Sequence, residues 1–302
     1  MRNAMSYLGQ KRSHEHYGIK VAGGTSPTVR RRELGFLLRK LRTDRGLSVE
    51  DVMARLLFSA TKISRLETGR AGASPRDIRD LCDLYEVTDP VERERLMTLA
   101  RAGKQRAWWQ EFALPYATYV GLEAEAASIS DYNSDIVTGL LQVADYARSM
   151  FEAAEPPLDR ATIGQRVEAR IRRQVLLTQD GSPHFHCILD EGALRRPVGG
   201  SAVMRAQLER IIEVASLPKV TFQLIPLDLG AHPALDSTFV ILEFEEPMVN
   251  DVVYVEGFVG NIYLENAADL ERYKQMFSRL RSMALDPADS IALVARIAAT
   301  YE

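Results

Sequence analysis

From Arg31 onward the apolar residues recur with a helical period. Leu34, Leu37, Leu38 and Leu41 fall on one face, while Arg39, Lys40 and Arg42 point outward. Gly46 ends this helix. Ser48, with Asp51 three residues on, has the spacing of a capping box and opens a second helix carrying Val49, Val52, Met53, Leu56 and Leu57. Ser59 caps a third helix that runs to about Glu67 and stops at Gly69, with a short inward face of Ile63 and Leu66. Ser74-Pro75-Arg76-Asp77 places an N-cap, a first-turn proline and an acidic third position ahead of Ile78, Leu81, Cys82 and Tyr85. A fifth helix, about residues 90–101, carries Val91, Leu96 and Leu99. The pattern predicts an all-α, five-helix domain over residues 29–104.

The second half of the chain changes period. Residues 120–152 and 158–178 still read as helical, after a connector at 105–118. His184–Asp190, Val220–Ile225, Phe239–Phe244, Val252–Glu256 and Asn261–Leu264 read as strands, with an amphipathic helix from Val203 to Ala215 between the first two. Helices at about 267–284 and 287–301 close the chain. This order predicts a multi-domain protein: the all-α domain, then an α+β domain with a mixed sheet over 119–302.

Composition adds one asymmetry. The 302 residues carry 38 Lys+Arg against 41 Asp+Glu, an ordinary globular balance. Residues 1–106, however, hold 22 basic and 13 acidic residues, leaving the rest of the chain with 16 and 28. A basic module joined to an acidic one points to a polyanion met by the first half alone. Residues 1–28 show neither period and read as a flexible basic arm. No apolar run approaches the roughly 18–20 residues that span a bilayer, and Cys82 and Cys187 stand far apart, so we expect a cytoplasmic protein with reduced thiols and no membrane partner.

Two helices joined by a short turn, the second polar outward, form the geometry that enters a major groove. The stretch from Leu47-Ser48 through Ser59-Ala60-Thr61-Lys62-Ile63-Ser64-Arg65-Leu66-Glu67-Thr68-Gly69-Arg70 resembles the XRE (Cro/C1-type) helix-turn-helix family. It departs from that pattern at Val49, Met53 and Leu57, where the family usually has Gln, Ala and Gly. A Leu in the left-handed turn conformation of that Gly costs roughly 1 kcal/mol. The resemblance implies double-stranded DNA as partner, with Ser48, Ser59, Ala60, Thr61, Lys62, Ser64, Arg65, Thr68 and Arg70 at or near it. Lys62 and Arg65 would donate to guanine or phosphate, and Thr68 and Arg70 would grip the backbone.

The second half resembles an effector-type domain that follows such motifs in actinobacterial (Streptomyces-like) regulators. The resemblance is carried by Thr138-Gly139-Leu140-Leu141-Gln142 with Tyr146-Ala147, by Leu189–Gly200, by Met204–Leu208 and by Val253-Tyr254-Val255-Glu256. It implies a transcriptional regulator whose second domain senses or binds something; from the size and acidity of that domain we expect a small molecule or a small partner protein. The expected DNA site is an inverted repeat read by a homodimer.

Catalytic chemistry finds little support. His184 and His186 share a strand face but lack a third metal ligand nearby. Asp190-Glu191 sits near enough to Arg195 and Arg196 for a polar network, and Glu191, Arg195 and Arg196 are the candidate effector contacts. Phe222, Phe239, Tyr254 and Tyr263 could wall a mostly apolar pocket. No phosphate loop, serine elbow or Cys-His nucleophile pair is present. No cofactor is expected; the alternative reading is an enzyme, such as a hydrolase, that uses the helix-turn-helix for targeting or dimerisation.

Overall fold

A computed structural model describes residues 26–112, 114–245, 249–257 and 259–301. Most of the basic arm expected at 1–28 lies outside the described residues. Five helices come first: α1 (Pro27–Asp44), α2 (Val49–Leu56), α3 (Ala60–Glu67), α4 (Pro75–Leu84) and α5 (Pro90–Ala102). Each of the last four starts where a side-chain oxygen caps it. Ser48, Ser59, Ser74 and Asp89 accept backbone N–H bonds from Asp51, Lys62, Asp77 and Val91, and Ser48 and Ser74 complete reciprocal capping boxes. The helices close over one core of Leu34, Leu38, Val52, Ile63, Leu66, Ile78, Leu81 and Leu96.

Then follow α6 (Ala117–Glu123), β1 (Ser128–Asn133), α7 (Ala144–Glu152), α8 (Arg160–Arg173), β2 (His184–Asp190), α9 (Glu191–Arg195) and α10 (Ser201–Ala215). The chain continues with β3 (Val220–Ile225), β4 (Phe239–Glu243), β5 (Val252–Glu256), β6 (Asn261–Leu264), α11 (Ala267–Met283) and α12 (Pro287–Ala298). The six strands form one mixed sheet in the order β3-β2-β1-β4-β5-β6. β1, β2 and β3 run parallel, while β4, β5 and β6 add on antiparallel. Residues alternate between the two faces. Ile129, Cys187, Leu189, Leu224, Leu242 and Tyr254 face the main core with α10 and α12, whereas Tyr132, Ile188, Ile241 and Val253 face Phe277 and Leu280 of α11.

β1 corrects the sequence reading, which placed residues 120–152 in helix. Ser128-Ile129-Ser130-Asp131-Tyr132-Asn133 is nevertheless a central strand, hydrogen-bonded on both sides to β2 and β4. Tertiary pairing overrides its weak strand propensity.

The two modules are packed together. Residues 26–28 are buried, and Val29 belongs to the main core of the second module. A side chain at Gly121 would stand 2.3 Å from Thr28 Oγ1, so α6 lies directly on the start of α1. Ser26 N–H donates to Glu125, and Arg32 pairs with Glu265 at 3.1 Å. Between the modules Trp109 is buried and Trp108 lies under the Arg172 guanidinium, 4.6 Å from its ring centre, so this aromatic pair is packing rather than an open surface.

Candidate functional site

The helix-turn-helix is α2, the turn at residues 57–59, and α3. The Leu-Glu pair that opens the Leu-Glu-Thr-Gly segment at its end has a physical reason at both positions. Leu66 is core, and Glu67 takes a two-point ion pair from Arg42 of α1, at 2.6 and 2.9 Å. The same guanidinium donates to the Leu47 carbonyl at 2.8 Å, so one side chain fixes both ends of the motif. Gly35 of α1 permits the close approach: a Cβ there would meet the carbonyl oxygens of Leu66 and Glu67 at 2.5 and 2.6 Å.

Leu57 occupies the left-handed conformation at φ 55° and ψ 32°, with 91% of its surface exposed. It carries the backbone cost of that region without offsetting burial. Leu57→Gly should therefore stabilise the first module by up to about 0.5 kcal/mol, after the larger unfolded-state entropy of glycine is deducted. A rise in the urea midpoint would show it, and an unchanged or lower midpoint would refute it.

The residues expected at DNA are arranged as follows. Ser48 and Ser59 are exposed N-caps; Ala60, Thr61, Ser64, Arg65, Thr68 and Arg70 are exposed. Thr68 Oγ1 donates to the Ser64 carbonyl at 2.7 Å. Among the described residues Arg65 and Arg70 form no ion pair. Lys62 differs: its ammonium lies 2.6 Å from Asp77 Oδ1 and 3.5 Å from the centre of the Phe58 ring. Burial raises the Asp77 carboxyl, but Lys62 and the Ser74 cap outweigh it and hold the group below its ordinary value. Lys62 therefore braces α3 against α4, while Arg65 presents a free guanidinium.

The candidate effector residues are drawn partly together. Glu191 is buried, pairs with Arg195 at 2.5 Å, and accepts the Leu227 N–H at 2.9 Å. Asp190 caps α9 through the Gly192 N–H and lies 3.4 Å from His232 Nε2. Arg196 is exposed and, among the described residues, forms no ion pair. Glu191 thus closes a loop onto the sheet end. His186 Nε2 lies 2.8 Å from Gln223 Oε1, and burial lowers its pKa, so it is a neutral ring within a local hydrogen bond. Cys82 and Cys187 are buried free thiols. Among the described residues no group of three metal-binding side chains converges.

A cavity of about 220 Å³ opens elsewhere, between the main-core face of the sheet and the segments after β1. Its floor is Asp131, Val240 and Tyr254; its walls include Thr138, Gly139, Gln142, Phe151, Arg170 and Arg173. Of the four aromatics expected to wall a pocket, Tyr254 does so, Phe222 and Phe239 are buried core, and Tyr263 packs on Tyr254 at 5.3 Å between ring centres without lining the cavity. Asp131 is 2% exposed, accepts from Thr138 Oγ1 and from Asn133 Nδ2 at 2.6 Å, and forms no ion pair among the described residues. Burial pushes its pKa up to about 6 against the pull of those two hydrogen bonds. Beside it Arg173 and Glu123 form a two-point ion pair at 2.8 and 2.6 Å. A larger hollow of about 440 Å³ lies at the opposite sheet end, near His184, His186 and Lys274. There Lys274 is already paired with Glu243 and Asp251, and no buried unpartnered polar atom lines it among the described residues.

Comparison with known proteins supports this division. Residues 33–96 match a helix-turn-helix domain, and residues 116–296 match a domain of unknown function, DUF5753. Neither a curated protein nor a solved structure matches the chain. Among the described residues, no helix is long and apolar enough to cross a membrane. A helix-turn-helix domain is an element that binds DNA. With the second match spanning more than half of its length, the chain belongs to the DUF5753 family and carries a helix-turn-helix domain ahead of the family's own.

Proposed function

We propose that this protein is a sequence-specific, DNA-binding transcriptional regulator of the bacterial cytoplasm, whose second domain binds a small effector. The observation that carries the reading is the outward surface of α3. Thr61, Ser64 and Arg65 are exposed there on a helix locked by the Ser59 cap and the Arg42–Glu67 pair. Polar groups on a rigid helix with a free guanidinium suit base-edge recognition, in which a bidentate Arg–guanine contact contributes about 1–3 kcal/mol. Arg65→Ala should lose that amount on the selected operator and relax preference at one base pair, whereas Arg70→Ala should weaken all sequences alike. Fluorescence anisotropy against a set of single-base operator variants measures both. Equal affinity and preference for Arg65→Ala and the parent protein would remove Arg65 from the reading set.

A single helix-turn-helix makes a small interface, and we propose that a homodimer reads an inverted repeat. Light scattering that found a monomer both free and on DNA would refute the dimer. An enzymatic use of the second domain is the weaker reading. Among the described residues the 220 Å³ cavity is lined by no histidine, cysteine or lysine that could serve as base or nucleophile beside Asp131.

A further inference from the structure

The cavity in the second domain holds an imbalance that a ligand would relieve. Asp131 is a buried carboxylate with no cation in contact, and its two hydrogen bonds leave acceptor capacity on each oxygen. Arg170 is a guanidinium with no carboxylate in contact among the described residues. Its Nη1 donates to Gln142 Oε1 at 2.9 Å and its plane lies near the rings of Phe151 and Tyr116, but its buried Nε has no partner. The Tyr254 hydroxyl, on a residue 4% exposed, likewise has no partner among the described residues. Burial pushes its pKa upward, so it remains a phenol with a proton to donate. Unsatisfied buried donors are costly.

Four separate segments build this arrangement: β1 gives Asp131, the turn after it Thr138 and Gln142, α8 Arg170, and β5 Tyr254. Gly139 lets the guanidinium sit close, since a Cβ at that position would stand 2.9 Å from Arg170 Nη1 and push the side chain aside. Two of the segments that carry the family resemblance, 138–142 and 253–256, thus meet at one cavity.

We infer that the cavity is the effector site, and that it takes a zwitterionic small molecule of amino-acid size with an apolar or aromatic side chain. The ligand's carboxylate would accept from Arg170 Nε and the Tyr254 hydroxyl, and its ammonium would donate to Asp131. Its side chain would lie among Ile136, Met150, Phe151 and Tyr116. A volume of about 220 Å³ is below the 300–1,000 Å³ usual for drug-sized ligands, which limits the occupant to this size. The inference rests on the proposed sensing role of the second domain.

Direct binding to the full chain, without DNA, separates the two ideas. Three probes of one shape suffice: L-phenylalanine, phenethylamine, which keeps only the cation, and 3-phenylpropionate, which keeps only the anion. Calorimetry should rank phenylalanine first, with each single-ended probe about tenfold weaker or more, as expected for loss of one charge-assisted hydrogen-bonded end. Asp131→Asn should weaken phenylalanine by a similar factor and leave 3-phenylpropionate unchanged. Arg170→Lys and Arg170→Gln should weaken phenylalanine and 3-phenylpropionate but not phenethylamine. No heat from any probe at millimolar concentration overturns the inference, as does phenylalanine binding that ignores both Asp131→Asn and Arg170→Gln. Equal binding of phenylalanine and phenethylamine overturns its two-ended form. A failure of operator binding in the same preparation would instead strike the regulator reading.

Discussion

Glu123→Ala should destabilise the second domain by about 3–5 kcal/mol, the largest loss expected from any single change described above. Its carboxylate is enclosed with the Arg173 guanidinium, their side chains 1% and 6% exposed. Burial alone would lower the Arg173 pKa, yet Glu123 more than reverses this and the net shift is upward, so the charge is retained inside the protein. Removing the carboxylate leaves that charge in the interior without its ion-pair partner, against the rings of Tyr116 and Tyr119 at 5.6 and 5.2 Å. The cost is therefore that of a stranded cation, not the net contribution of the pair. Glu123→Leu combined with Arg173→Met should recover most of the loss, since well-packed apolar replacements of buried pairs are often neutral. Urea unfolding of the two single variants and the double variant gives the coupling energy. A single-variant loss under about 1 kcal/mol would mean that water reaches the pair.

Asp131→Asn should act in the opposite direction and stabilise the protein at neutral pH. In the folded chain the carboxyl titrates at about 6 instead of 3.8. A carboxyl held that far above its ordinary value corresponds to roughly 3 kcal/mol. For an acid raised in this way, the folded state prefers the protonated form. Its stability is fully present below the ordinary pKa and lost as pH climbs through about 6. Asparagine keeps the shape, can accept from Asn133 and donate to Thr138, and never ionises. The variant's advantage should reach about 1–3 kcal/mol at pH 7, allowing for imperfect hydrogen bonds, and shrink toward zero as pH falls to 4. Unfolding free energies of both proteins between pH 4 and 8 test the trend. A difference that does not change with pH would show that Asp131 is not the group responsible. A site residue whose removal stabilises the chain fits the usual opposition between stability and function.

The first module was legible because its signals are local. Ser48, Ser59 and Ser74 cap the helices that their spacing announces, and Leu57 takes the left-handed turn that its position in the motif requires. The strands from β2 onward were equally open to reading, since each is a run of apolar or β-branched residues. β1 was not, because only Ile129 and Tyr132 among its six residues are apolar and its buried Asp131 breaks the alternation that marks a half-buried strand. The cavity was invisible for a related reason. Its polar groups come from segments up to about 120 residues apart, and apart from Tyr254, which was expected to wall a pocket, each one alone reads as surface. Lys62 shows the same limit in the first module: helix geometry turns it outward, but Asp77, fifteen residues on, draws it back.

The helix α1 belongs to both modules. Its middle and last turns hold the reading helix through Gly35 and Arg42, while its first turn, with Thr28 and Val29, fills the interior of the other module. The seam between the two therefore runs through a continuous helix as well as through residues 105–118. A chimera cut at those residues would graft a reading head whose leading turn fits only its original neighbour. The new sensor would have to supply its own groove for Val29 and its own acceptor for the Ser26 N–H. Exchange of second domains among chains of this build is for that reason constrained to partners that share the socket, and the socket, more than the connecting peptide, decides which first and second domains are interchangeable.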